Sequence, residues 1–263
     1  MSNVRAPIAA GRFYPAGADD LGAAVDRLLA AAAVSPPGGE LRAVVVPHAG
    51  YVYSGAVAAR AFALLARNGQ RRRIALLGPS HFVPLRGAAV SAADTWRTPL
   101  GPIPVDARLR DAAVAAGAIV EERPHRFDHA LEVELPFLQR RAEAGLRILP
   151  VAVDGDTERV ASLVDALADD AVVVVSSDLS HYLDDATARA QDERTAHAIV
   201  ELDDTVIDDA DACGAAAVRG LLAHARRAGW TCTLLGLRTS ADATGDRSRV
   251  VGYGAFALTG GPP

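Results

Sequence analysis

Lysine does not occur anywhere in the 263 residues, and all 27 basic side chains are arginine. Without an ε-amine there is no Schiff-base nucleophile, no lysine-linked pyridoxal phosphate and no phosphate-loop lysine. Methionine is confined to Met1, which removes thioether ligation of copper. Two cysteines, Cys213 and Cys232, can close at most one bridge, so no disulfide framework supports the fold and a cytoplasmic setting is expected. Long apolar runs are missing as well. No segment approaches the roughly 18 apolar residues that span a bilayer, and no signal-peptide pattern opens the chain, so no membrane association is expected. A net charge of −5 gives no clustered positive surface for nucleic acid, and Arg71-Arg72-Arg73 is too short for a basic tract and reads as a solvated strand edge. What is left for polar chemistry is seven histidines, two cysteines and 32 carboxylates, a set suited to metal or acid/base work.

Short β-branched runs alternate with alanine-rich amphipathic stretches. This predicts a single three-layer α/β/α domain over residues 1–263 with a mostly parallel central sheet and a frayed tail at 259–263. Strands are expected at 41–47, 73–77, 146–153, 171–176, 231–237 and 250–258. Helices are expected at 19–34, 54–67, 106–116, 129–144, 157–168, 186–202 and 213–228, with Ser54, Asp106 and Thr157 as N-caps. The turn-rich stretches at 36–39 and 240–249 are too short to separate domains.

In open parallel sheets ligands bind outside the carboxyl ends of the strands. Three strands here run into histidine: 44–46 into Pro47-His48, 74–77 into Gly78-Pro79-Ser80-His81, and 172–175 into Ser176-Ser177-Asp178-Leu179-Ser180-His181. Shared position relative to parallel strands puts the three on one rim. Cys213, expected in the first turn of a helix, would there have a lowered thiol pKa suited to metal binding, whereas Cys232 reads as packing. Asp128, His129 and Glu132 could form an outer shell orienting ligands or substrate, or a solvated helix start. His125 and His129 are four apart, but Arg126 stands where a zinc-protease helix needs glutamate. The glycine pattern at 252–257 precedes no helix, and the turn at 78–82 lacks the closing glycine of a nucleophile elbow. The acidic pairs Asp203-Asp204 and Asp208-Asp209 read as a solvated face.

These segments resemble the Memo family, called AmmeMemoRadiSam system protein B in bacteria and archaea. The likeness rests on 10–15 (Ala-Gly-Arg-Phe-Tyr-Pro), 47–51 (Pro-His-Ala-Gly-Tyr), 78–81 (Gly-Pro-Ser-His), 97–100 (Arg-Thr-Pro-Leu), His129 with Glu132 and 135–137, 176–181 (Ser-Ser-Asp-Leu-Ser-His) and 211–214 (Asp-Ala-Cys-Gly). They occur in order from about residue 6 to residue 258. The resemblance implies a fold like that of LigB-type class III extradiol dioxygenases. It also implies a metal triad of His48, His81 and Cys213, with His181 as acid/base and Asp178 beside it. A thiolate in place of the dioxygenase carboxylate suits iron(II), and also copper or zinc, better than magnesium or calcium, and leaves the site open to oxidation. Tyr51, Ser80, His129 and Glu132 are the candidate pocket or outer-shell residues.

The expected function is an iron(II)-dependent oxidoreductase acting on a small molecule. The alternatives are a non-catalytic iron- or copper-binding or adaptor protein working with radical-SAM system partners, and a zinc hydrolase with His181 or Asp178 as base.

Overall fold

Val44, Val45 and Val46 are buried, as are Val172 to Val175, because both faces of their strands are covered. Continuous β-branched runs of this kind cannot sit at a surface without exposing a large apolar area, so they set the centre of the sheet. The computed structural model describes residues 3–65, 73–141 and 145–261. Its strands are β1 (Val4–Arg5), β2 (Glu40–Val46), β3 (Arg73–Gly78), β4 (Gly87–Val90), β5 (Thr95–Thr98), β6 (Gly101–Pro104), β7 (Ile119–Val120), β8 (Arg147–Asp154), β9 (Val172–Ser176), β10 (His181–Leu183), β11 (Thr231–Thr239) and β12 (Val250–Gly260). Its helices are α1 (Ala18–Ala31), α2 (Tyr51–Leu65), α3 (Ala107–Ala115), α4 (Arg123–Arg126), α5 (Leu135–Arg141), α6 (Thr157–Ala168), α7 (Asp185–Val200), α8 (Ala215–Arg227) and α9 (Ala241–Thr244).

The main sheet has the order β10-β12-β2-β9-β3-β8-β4-β7, with β11 on the outer side of β12, while β1, β5 and β6 form a small separate sheet. Its centre, β2-β9-β3-β8, is parallel. The flanking strands are antiparallel: β12 to β2, β11 and β10, and β4 to β8. Helices α1, α2 and α5 pack on one another, and α6 packs on both α3 and α8. This is the expected mixed α/β architecture with a large sheet flanked by helices. No helix among the described residues is long and apolar enough to cross a membrane.

Local chemistry explains where the elements start. Asp106, Asp156 and Asp184 cap α3, α6 and α7 by accepting from the amides of Leu109, Arg159 and Thr187. Thr157 is therefore the first residue of α6 rather than its cap. Ser54 lies inside α2, where its hydroxyl donates to the Ala49 carbonyl. The helix expected from residue 129 begins only at Leu135, because Pro136 has no amide proton to give and suits the first turn of a helix. Residues 128–134 are an irregular loop closing in a turn at 130–134 instead. Thr259 and Gly260 pair with Leu41 and Glu40 in the sheet rather than fraying. Arg71, Arg72, the far ends of the helices expected at 54–67 and 129–144, and residues 262–263 lie outside the described residues. Arg73 pairs with Asp106.

Helices α6 and α8 touch at Gly220, where an added Cβ would lie 2.4 Å from Cγ1 of Val160. Gly220→Ala is expected to lower stability by about 1–3 kcal/mol, the usual range for overpacking. Gly38→Ala, with nothing within 4 Å of the new methyl, serves as the control. Urea unfolding of both variants checks this, and equal midpoints for the two would refute it.

Candidate metal centre

Sheet register brings the site together. Val46 pairs with Ser176 and Leu77 with Val175, so β2, β9 and β3 end level, with β9 in the middle. The chain leaving β2 then presents His48, the chain leaving β9 presents Asp178 and His181, and the chain leaving β3 presents His81. The loop at 128–134 folds over the same edge and adds His129. Gly78 allows that approach, since a Cβ there would meet Leu131 at 2.7 Å.

Metal-binding atoms of His48, His81 and His129 all lie within 4.8 Å of one another. The three ring centroids stand 5.3, 5.5 and 5.4 Å apart. Cys213 Sγ reaches this cluster at His48, 3.4 Å from Nε2. It also receives the Asp178 amide at 3.3 Å. Asp178 binds the strand ends together, its Oδ1 accepting from the amides of His48 at 2.8 Å and Ala49 at 3.3 Å.

Hydrogen bonding fixes which ring nitrogens face the cluster. Ser176 Oγ lies 2.9 Å from the Ala130 carbonyl, 2.9 Å from Glu134 Oε1 and 2.8 Å from His48 Nδ1. A hydroxyl has one proton, and Ala130 O can only accept it. Glu134 Oε1 likewise accepts from Ser176, so the one hydroxyl proton is shared between these two acceptors and His48 Nδ1 has to donate to Oγ, which leaves a lone pair on His48 Nε2, the atom that meets Cys213. At His81 the amide donates to Asp128 Oδ2 at 2.7 Å and Nδ1 donates to Oδ1 at 3.1 Å, so Nε2 is again the free nitrogen. A carboxylate behind a ligand histidine is a recurrent device for orienting the ring and raising its basicity. His129 is held instead by stacking, with its ring 4.0 Å from Phe13.

Burial dominates the proton equilibria. Desolvation, followed by the charge of His81, pushes His48 down to about 3. Desolvation and then His48 push His129 down to about 4. Burial alone would raise the Asp128 carboxyl and lower His81, but their hydrogen bond and opposite charges outweigh it. Asp128 is held down to about 2 and His81 is moved up. Asp178 is raised by desolvation.

Cys213 departs from the sequence expectation. The helix starts at Ala215, so Cys213 sits in the turn before it, and burial followed by the Asp178 charge pushes its thiol up to about 12. Desolvation and a neighbouring carboxylate outweigh any helix-end effect, so a cation binding there must displace the thiol proton.

The cluster opens into a cavity of about 800 Å³, within the range of small-molecule sites. His48, His81, His129, Cys213, Asp178 and His181 all line it. The other candidates do not. Tyr51 donates its hydroxyl to the Val133 carbonyl, and Ser80 donates to the Val83 carbonyl. Glu132 is fully buried away from the cavity. It accepts from Arg5 at 2.6 Å, from Tyr14 at 2.6 Å and from the amides of Ile8 and Ala9. Arg5 in turn donates to the carbonyls of His125 and Asp128 and lies 3.9 Å over Trp96, so it ties the N-terminal segment to the loop carrying Asp128 and His129.

Sequence reasoning missed Phe13, Tyr53, Tyr182 and Asp209 on the cavity wall. Asp209 belongs to the acidic stretch expected to be solvated, and Asp204 of that stretch is buried against Arg226. The structure alone marks Tyr182, whose φ of 63° is unusual for a residue other than glycine and shows a locally forced backbone beside His181.

The fold and this edge define an α/β domain with a histidine cluster and an adjoining thiol at the carboxyl ends of its parallel strands. The family described as Memo-like protein matches residues 5–257, and the chain belongs to it. A MEMO1 family protein of Methanosarcina acetivorans is 36% identical over 97% of this chain and 99% of its own length. A MEMO1 family protein of Methanothermobacter thermautotrophicus is 36% identical over 81% of this chain and 83% of its own length. The crystal structure of the uncharacterized protein JW3007 from Escherichia coli K12 aligns with a TM-score of 0.54, covering 84% of this chain and all of that one. At 13% identity it shows the fold alone.

Proposed function

We propose that this protein is a mononuclear metal-dependent oxidoreductase that holds iron(II) through His48 and His81, with Cys213 or His129 completing the set. The observation that carries this reading is the convergence of two outward-facing Nε2 atoms, a third imidazole and a thiol at the base of an open cavity. The residues fit such an ion. Ser176 and Asp128 fix the free nitrogens of His48 and His81, and a nitrogen and sulfur donor set suits iron(II), copper or zinc. Iron would supply the one-electron and oxygen chemistry that the side chains lack. His181 and Asp178 line the same cavity, close enough for their charges to interact, and His181 would take or return a proton at a small-molecule substrate.

A second reading, metal binding without turnover, is favoured by one observation. His129 brings the nearby protein donors to four, enough to fill a tetrahedral site and leave no position for substrate. A storage or adaptor role beside a radical-SAM partner would follow from a closed site.

Anaerobic iron(II) titration tests both. The wild type is expected to bind one iron per chain. His48→Ala and His81→Ala should each weaken binding by at least about 10–100-fold, the loss that follows removal of even an outer-shell partner. Of Cys213→Ala and His129→Ala, one should weaken binding equally and so identify the third ligand. Oxygen uptake with catechols then separates turnover from storage. Absence of stoichiometric iron, or affinity unchanged in His48→Ala, would refute the metal site.

A further inference from the structure

A second cavity, of about 540 Å³, adjoins the metal cavity and shares Phe13, Gly50 and Tyr53 with it. It is built from the segment 11–15 and from one face of α1, where Ala24, Leu28 and Ala31 recur at i, i+4 and i+7. The two alanines leave the space open. Polar groups over this lining are few. The Tyr14 hydroxyl is committed to Glu132 and the Tyr51 hydroxyl to the Val133 carbonyl.

The charged groups that remain are the guanidiniums of Arg12 and Arg27, and among the described residues no carboxylate lines the cavity. Among the described residues Arg12 has only the Phe13 ring, 6.0 Å away, and Arg27 has no ion pair. The acid next to Arg27 in sequence, Asp26, is taken by Arg140. In a chain where acids outnumber arginines 32 to 27, two unneutralised cations beside an apolar, acid-free hollow select for an anion.

We propose that this cavity binds a small organic acid with an apolar body, an acyl or aryl carboxylate. Arg12 and Arg27 hold the carboxylate, and the body lies against Ala24, Leu28 and Ala31. Guanidinium forks match carboxylate geometry, and a hollow of this volume is of ligand size. A neutral amphiphile would gain burial only, and a cationic one would be repelled. The inference goes beyond the metal reading and does not depend on it, since Arg12, Arg27, Ala24, Leu28 and Ala31 do not line the metal cavity. Through Phe13, which stacks on His129, the occupant would share a wall with the metal cavity.

Isothermal titration of the metal-free, full-length protein with octanoate, octan-1-ol and octylamine tests this, each below its micelle concentration. Octanoate is expected to bind one per chain and at least tenfold tighter than octanol, with octylamine weakest. The double variant Arg12→Gln/Arg27→Gln should bring octanoate down to the level of octanol. Ala24→Leu should abolish binding of both by filling the hollow. Iron(II) stoichiometry should stay unchanged in all of them, so failure of the metal reading and failure of this one are distinguishable. Equal affinity for octanol, undiminished octanoate binding in either variant, no binding at all, or a stable dimer in light scattering that leaves the cavity inaccessible would overturn the proposal.

Discussion

Glu132→Ala is expected to lower the unfolding free energy by about 3–5 kcal/mol, the cost of leaving one partner of a buried ion pair uncompensated. The Glu132 carboxylate serves the Arg5 guanidinium, the Tyr14 hydroxyl and the amides of Ile8 and Ala9, all removed from bulk water. Alanine strands all four donors at once. Glu132→Gln keeps an acceptor but brings an amide NH2 against donors, so an intermediate loss is expected. The double variant Arg5→Met/Glu132→Leu should recover much of the alanine loss by removing both charges. Urea midpoints at constant denaturant slope are the measurement, and a loss below about 1 kcal/mol for Glu132→Ala would contradict the account. Arg5 also holds the carbonyls of His125 and Asp128, so iron binding by any protein that remains folded should weaken as well.

Stability should also fall with rising pH in a way that Glu134→Gln abolishes. Complete burial, together with the nearby Asp178 charge, raises the Glu134 carboxyl well above its ordinary value of 4.5, although its bond to Ser176 pulls the other way. Its Oε2 has no hydrogen-bond partner among the described residues. Below pH 4.5 both the folded and the unfolded chain keep this proton, and the group has no effect on stability. Above it the unfolded chain releases the proton while the folded chain retains it. Stability then declines by up to about 1.4 kcal/mol per pH unit until the folded carboxyl ionises. Glutamine cannot ionise, and its amide oxygen still accepts from Ser176. The stability difference between variant and wild type should therefore grow from pH 4.5 to pH 8. Parallel pH profiles would show that Glu134 is ionised in the folded protein and would refute the prediction.

Which parts of this were readable in the sequence follows from the range of the interactions. The ends of β2, β3, β8 and β9 agree with the pattern to within a residue or two, because an unbroken β-branched run has to be buried whatever surrounds it. The sheet margins were not readable in the same way. Strands β12 and β4 run antiparallel, which a period of hydrophobicity cannot express. The helix assigned from residue 129 ignored Pro136, a local signal that was present and outweighed by the apolar period around it.

At the site, the strand-end histidines and Asp178 fall on one edge for a reason stated by the sequence: each follows a parallel strand by a similar number of residues. His129 and Glu132 show the limit. Three residues apart in one loop, they go to different places, one to the histidine cluster and the other to Arg5 and Tyr14, more than a hundred residues away in the chain. The sequence also marked Cys213 as notable, but its protonation was decided by burial next to Asp178 and not by the helix that follows it.

By itself, then, the sequence determined the α/β class, the strands at the centre of the sheet, the exclusion of lysine chemistry and the rim that carries the polar residues, since all of these depend on composition and short-range period. Only the tertiary structure decided which side chains meet, which nitrogens face outward, which carboxylates hold protons and where the arginines lack a partner. Those outcomes depend on distance and desolvation between segments far apart in the chain, and sequence spacing does not encode either.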